Sequence, residues 1–154
     1  MFMHIVLVEP EIPANTGNIS RTCSCTGITL HLVKPLGFSV DDKQLKRAGL
    51  DYWHLLDLHY HDSFADLRAK YPQGRFFFAT TKADKSYTEV EYGPDDFFVF
   101  GRETRGLPDE LIEANRETCI RIPILPDARS LNLSNAVAVV VFEALRQQGF
   151  PSLK

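Results

Sequence analysis

The sequence predicts an α/β fold, a mainly parallel sheet with helices on both faces. Short β-branched or aromatic runs alternate with helical stretches along the chain. Those runs are apolar throughout and do not alternate apolar with polar, as expected of strands covered on both sides. A length of 154 residues is enough for one domain with a full core and hardly enough for two. Residues 1–154 therefore read as a single domain, without repeat, linker or low-complexity segment.

Each element has its own signal. His4–Val8 (HIVLV) is a buried-strand run, Asn15–Cys25 reads as a helix, and Leu30–Val33 as a second strand. Asp41–Ala48 is a polar, basic helix; Ser63–Tyr71 is amphipathic, with Phe64, Leu67 and Tyr71 at helical spacing. Arg75–Ala79 (RFFFA) and Phe97–Phe100 (FFVF) are aromatic strands. Pro108–Ala114 is a short helix with proline in its first turn, Cys119–Ile122 is a last strand, and Ala136–Leu145 is an apolar helix.

Composition narrows the function classes. The 44% hydrophobic and 24% charged content is ordinary for a globular protein. No apolar run reaches the roughly 18–20 residues that span a bilayer, so no membrane role is expected. MFMHIVLVEP reads as a first strand and not as a signal peptide. The odd cysteine count, Cys23, Cys25 and Cys119, suggests reduced thiols in the cytoplasm. Cys23 and Cys25 lack further ligands at zinc spacing, so no metal is expected. A net charge of −3 does not point to nucleic acid, but affinity depends on where the cations sit. No G-x-G-x-x-G occurs, which argues against a Rossmann-type oxidoreductase.

Three stretches carry candidate chemistry. In Pro13–Arg21 (PANTGNISR), Asn15 is a suitable N-cap, and Asn18 and Arg21, three apart, share a helix face. That face lies beyond the first strand's carboxyl end, where open α/β sheets bind ligands; a capped helix with a solvated arginine is the plain alternative. In Phe98–Pro108 (FVFGRETRGLP), Gly101 and Gly106 bracket four polar residues, as in a backbone bent around a ligand or in an ordinary surface turn. In Arg129–Leu145 (RSLNLSNAVAVVVFEAL), five hydrogen-bonding side chains precede an apolar helix. An extended segment would present Ser130, Asn132 and Ser134 on one side. Asn132 or Ser134 could cap the helix, but capping accounts for one or two of the five.

Together these stretches resemble the three signature motifs of the SPOUT methyltransferases: P-x-N-x-G-N-x-x-R at Pro13–Arg21, F-G-x-E-x-x-G-L-P at Phe100–Pro108, and I-P-x-x-x-x-x-R-S-L-N-L-S-N-A at Ile122–Ala136. Asp41–Tyr52 (DDKQLKRAGLDY) is similar to a stretch of the small single-domain tRNA 2′-O-methyltransferases that act on the wobble nucleotide, cytidine or modified uridine 34, of leucine tRNAs. One departure is Arg102, where that subgroup often has an uncharged residue.

The resemblance implies a SPOUT fold with a C-terminal deep trefoil knot, S-adenosylmethionine as cofactor, and a homodimer whose active sites use both chains. It places Ala79, Gly101, Ile122 and Ser130 around the cofactor. It assigns Arg21 to the ribose hydroxyl, with Asn15, Glu103 and Asn132 holding the nucleotide and its loops. Arginine is a poor base, with a pKa above about 12, so Arg21 is expected to polarise the hydroxyl and stabilise developing negative charge. Lys43, Lys46 and Arg47, on one face of the basic helix, would form an RNA groove with Arg21 and Arg129, and Tyr52 or Trp53 could stack on a base. A solvated helix face and core aromatics remain the alternatives. Other readings are a SPOUT enzyme for another tRNA position or ribosomal RNA, and a knotted RNA-binding module without activity.

Overall fold

The computed structural model describes residues 2–43, 47 and 54–154. Its elements, in chain order, are β1 (His4–Val8), α1 (Pro13–Thr26), β2 (Thr29–Val33), β3 (Leu58–His61), α2 (Phe64–Lys70), β4 (Phe76–Ala79), β5 (Phe97–Phe100), α3 (Asp109–Ala114), β6 (Cys119–Ile120) and α4 (Leu133–Gln147). The six strands form one parallel sheet in the order β3-β2-β1-β5-β4-β6. The chain first builds outward from β1 to β3, then resumes on the other side of β1. The crevice between the carboxyl ends of β1 and β5 is therefore a topological switch point, the usual ligand position in such sheets.

Period-two geometry sorts the apolar strands into two cores. Ile5, Leu7, Leu30, Leu32, Phe98 and Phe100 face one layer with Ile19 of α1 and Val137, Val140 and Val141 of α4. Val6, Val8, Val33, Phe76, Phe78 and Val99 face the other with Leu67 of α2 and Ile112 of α3. Both faces are thus covered, as the uninterrupted apolar runs require.

Several boundaries differ from expectation. Helix α1 begins at Pro13, two residues before the expected Asn15 start, and its N-cap position is Ile12. Proline suits the first turn because it lacks the N–H that would be orphaned there. The helix ends at Gly27, whose φ of 74° is the left-handed conformation of a helix stop. Helix α4 starts at Leu133, so the extended segment stops at Asn132 and does not include Ser134. The Asn132 side chain caps it, accepting from the Ser134 and Asn135 amides at 2.9 and 3.3 Å. Strand β3 was not expected: His59 and Tyr60 are exposed, and no apolar run marks it. The last strand ends at Ile120, not Ile122. Of the expected basic helix, Lys43 and Arg47 are helical and exposed; Lys46, Tyr52 and Trp53 lie outside the described residues.

A ladder of imidazoles crosses three strands. His31 Nε2 and Nδ1 lie 2.9 Å from His4 Nδ1 and His61 Nε2 respectively. His31 is fully buried. Burial disfavours the charged ring, lowering His31 to about 3 and His4 to about 4, and lowering His61 as well.

Candidate active site

The segments following β4, β5 and β6 meet around a cavity of about 640 Å³, within the usual range for a small-molecule site. Residues 79–82, 100–107 and 120–122 form three of its sides, and residues 129–131 with Ala136 and Val140 of α4 form the fourth. Leu107, Ile120, Ile122 and Val140 make its apolar lining, while backbone from the loops supplies polar edges. Ala79, Gly101, Ile122 and Ser130, the expected cofactor residues, all line it.

Gly101 shows why one wall is so close. A Cβ there would stand 2.1 Å from the Gly106 carbonyl carbon and 2.2 Å from the Leu107 nitrogen. The loop folds back on itself, with Arg102 and Gly106 exchanging backbone hydrogen bonds of 3.2 and 2.8 Å. Gly106 takes a φ of 71° to close this turn, a conformation that suits glycine.

Glu103, at the head of the loop, serves the helix that Ile12 cannot cap. Its Oε1 accepts from the Glu11 amide at 3.0 Å, and its Oε2 accepts from the Ile12 amide at 2.6 Å and from Asn15 Nδ2 at 3.4 Å. A carboxylate before a helix N-terminus also meets the positive end of its dipole. Asn15 is buried, and its Oδ1 accepts from Asn132 Nδ2 at 3.2 Å. Asn15 is therefore a bridge and not the N-cap expected. The path Glu103–Asn15–Asn132 ties one residue from each of the three sequence motifs, and it ends at the α4 cap.

The other expected residues are placed as follows. Arg21 is exposed on α1 with Asn18 and Cys25, and neither it, Asn15 nor Asn132 lines the cavity of its own chain. Arg129 does line it, at the rim. Among the described residues, Lys82, Arg102, Arg105 and Arg121 also line the cavity, against a single acid, Glu103. The site is thus locally positive on a chain of net charge −3. Lys82 pairs with Asp109 at 2.6 Å, and Arg102 with Glu9 at 3.2 Å. Lys82 and Arg121 have no place in the sequence expectation, and Arg105 enters it only as one of the polar residues between Gly101 and Gly106. Their one signal is position, since each follows closely on a strand end or lies in the glycine-bounded loop.

Known proteins resemble this chain over nearly its whole length. A model of the SpoU rRNA Methylase family matches residues 2–142. A relative in Escherichia coli (strain K12), named tRNA (cytidine(34)-2′-O)-methyltransferase, is 53% identical over 151 residues, covering 97% of this chain and 96% of its own. A solved protein described in terms of 2-OH methylation of C/U34 on tRNA is 44% identical, with a TM-score of 0.92 over 96% of this chain and 97% of that one. An AdoMet-bound rRNA methyltransferase from Sinorhizobium meliloti, 23% identical, shares the fold with a TM-score of 0.84 over 94% of this chain and 56% of its own.

Proposed function

The chain belongs to the SpoU rRNA Methylase family, and from that premise we propose that it is a cytoplasmic tRNA 2′-O-methyltransferase. It transfers a methyl group from S-adenosylmethionine to the ribose 2′-hydroxyl of nucleotide 34, cytidine or modified uridine, in leucine tRNAs. The observation that carries this reading is one cavity lined by the second and third motifs, with the first motif tied to both through Glu103, Asn15 and Asn132. The E. coli relative's name supports the substrate position.

The cavity suits the cofactor. Its volume and apolar lining fit an adenosine, and the glycine-bounded loop lets backbone groups approach closely. Ala79, Gly101, Ile122 and Ser130 would hold it, and when bound it supplies a methyl already activated on a sulfonium. The protein's part is alignment, polarisation and exclusion of water. Arg21 orients the ribose hydroxyl and stabilises the charge that develops on its oxygen; a substrate phosphate takes the hydroxyl proton, and the demethylated thioether leaves as S-adenosylhomocysteine. Arg129 at the rim, with Lys43, Lys46 and Arg47 on the basic segment, holds RNA phosphates.

Arg21 does not line its own chain's cavity, which favours a homodimer in which it serves the partner's. On α4, Val139 and Phe142 remain 37% and 47% exposed, an apolar face suited to a second copy of this chain. The C-terminal segment is taken to pass through the knot of the SPOUT fold, which would fix the three loops around the cavity.

The test is incubation with labelled S-adenosylmethionine and total tRNA or ribosomal RNA, followed by mapping of the modified nucleotide. Label at nucleotide 34 of leucine tRNA supports the assignment. Label only in ribosomal RNA, or at another tRNA position, replaces the substrate; no label in any RNA from cofactor-binding protein favours a binding module.

A further inference from the structure

The segment leading into α1 and the loop after β5 hold each other through side chains from both directions. Glu103 reaches out of the loop to the Glu11 and Ile12 amides. In return, Glu11 Oε1 accepts from the Thr104 amide at 3.1 Å and from Thr104 Oγ1 at 2.8 Å. One residue further out, Glu9 pairs with Arg102. Glu9 takes a φ of 53°, left-handed backbone that is uncommon for a residue with a side chain and that tertiary contacts must sustain.

We propose that Glu11 is a positioning residue for the methyl transfer assigned above: by clasping Thr104 it fixes the cavity's loop wall in register with α1, the helix that carries Arg21. The proposal rests on that reading of the reaction, but the clasp itself stands on the geometry alone. Thr104, Arg102 and Glu103 all line the cavity, whereas Glu11 does not, so Glu11 acts on the site only through the loop. The two Thr104 hydrogen bonds also hold the Glu11 carboxyl below its usual range. The bridges are polar and lie at the surface, so they fix the tip of the loop beyond the anchor that buried Leu107 gives its end. A misplacement of about 1 Å costs on the order of a hundredfold in an aligned reaction.

The experiment compares Glu11→Ala with Glu11→Gln, whose amide oxygen can accept the same two hydrogen bonds, and with Thr104→Val, which lacks the hydroxyl donor. Calorimetry without RNA gives cofactor affinity, and steady-state kinetics give kcat and KM. Glu11→Ala is expected to weaken S-adenosylmethionine binding and to lower kcat, each about tenfold. Thr104→Val should fall between it and the native protein, and Glu11→Gln should stay within about twofold of native. Unchanged affinity and kcat in Glu11→Ala would overturn the clasp, as would a Glu11→Gln protein impaired as much as Glu11→Ala. If native protein binds the cofactor but methylates no leucine tRNA, the substrate reading fails, while the affinities still decide the clasp. If native protein does not bind the cofactor, both fail. Exchange of the Thr104 amide, slow in native and Glu11→Gln protein and fast in Glu11→Ala, separates loss of the clasp from global unfolding.

Discussion

Replacing Gly101 with alanine adds one methyl group where the structure has no room. The new Cβ would lie 2.1 Å from the Gly106 carbonyl carbon, 2.2 Å from the Leu107 nitrogen and 2.5 Å from the Gly106 oxygen. Carbon atoms pack at about 3.5–4.0 Å, so one backbone segment must retreat by roughly 1.4 Å. All three obstructing atoms are main chain, and no rotamer change relieves the contact. Overpacking of this kind costs about 1–3 kcal/mol. In a domain of about 150 residues each kcal/mol lowers Tm by roughly 2–4 °C, giving an expected fall of roughly 2–12 °C. Because Gly101 and Gly106 both form the cavity wall, cofactor affinity should fall with it, by at least about tenfold. Gly93→Ala is the control: its Cβ would meet only the Asp96 carboxylate, at 3.8 and 3.9 Å, and should leave Tm nearly unchanged. Calorimetric melting and titration with S-adenosylmethionine read both effects. A Gly101→Ala protein with native Tm and native affinity would refute the reasoning.

Asn132→Ala removes the α4 cap and the bridge to Asn15; a loss of about 1 kcal/mol is expected from the cap alone, visible as a lower Tm, and an unchanged melt would contradict the assigned cap. Arg21→Ala should keep cofactor affinity, because its proposed role is toward the ribose hydroxyl and not the cofactor, and should lose about 10²–10³-fold in single-turnover methyl transfer. The histidine ladder makes stability acid-sensitive. The unfolded imidazole takes its proton near pH 6.5, whereas burial holds folded His31 to about 3 and His4 to about 4. Below pH 6.5 the unfolded state therefore binds more protons, and stability falls as pH drops toward the folded values. His31 alone contributes about 1.4 kcal/mol per pH unit over that window. Denaturant melts of native protein and His31→Asn at pH 7 and 5 should show a smaller pH slope in the variant; equal slopes would remove His31 from the account.

The strands were legible because each buried run, such as HIVLV and FFVF, contributes residues to both cores. Strand β3 was not, because an edge strand with exposed His59 and Tyr60 lacks that signature. The start of α1 is hidden from the sequence for a different reason. Its acceptor is a carboxylate 88 residues beyond Asn15 in the chain, and no local pattern reveals a cap supplied by another loop. The cofactor positions Ala79, Gly101, Ile122 and Ser130 followed from the family resemblance and fall on one cavity. Glu9 and Glu11 were invisible as partners of the loop, since two acidic residues beside a proline read as solvated surface. The cations Lys82, Arg105 and Arg121 look equally ordinary in sequence, and only the convergence of three loops gathers them.

A leucine-tRNA anticodon stem-loop with 2′-deoxyribose at nucleotide 34 tests the central claim most directly, because it removes the one oxygen that is proposed to receive the methyl group. With labelled S-adenosylmethionine and native protein, the all-ribose stem-loop and versions deoxygenated at 33 or 35 should accept methyl, and the 34-deoxy version should accept none. Methyl incorporation into the 34-deoxy stem-loop would contradict the account.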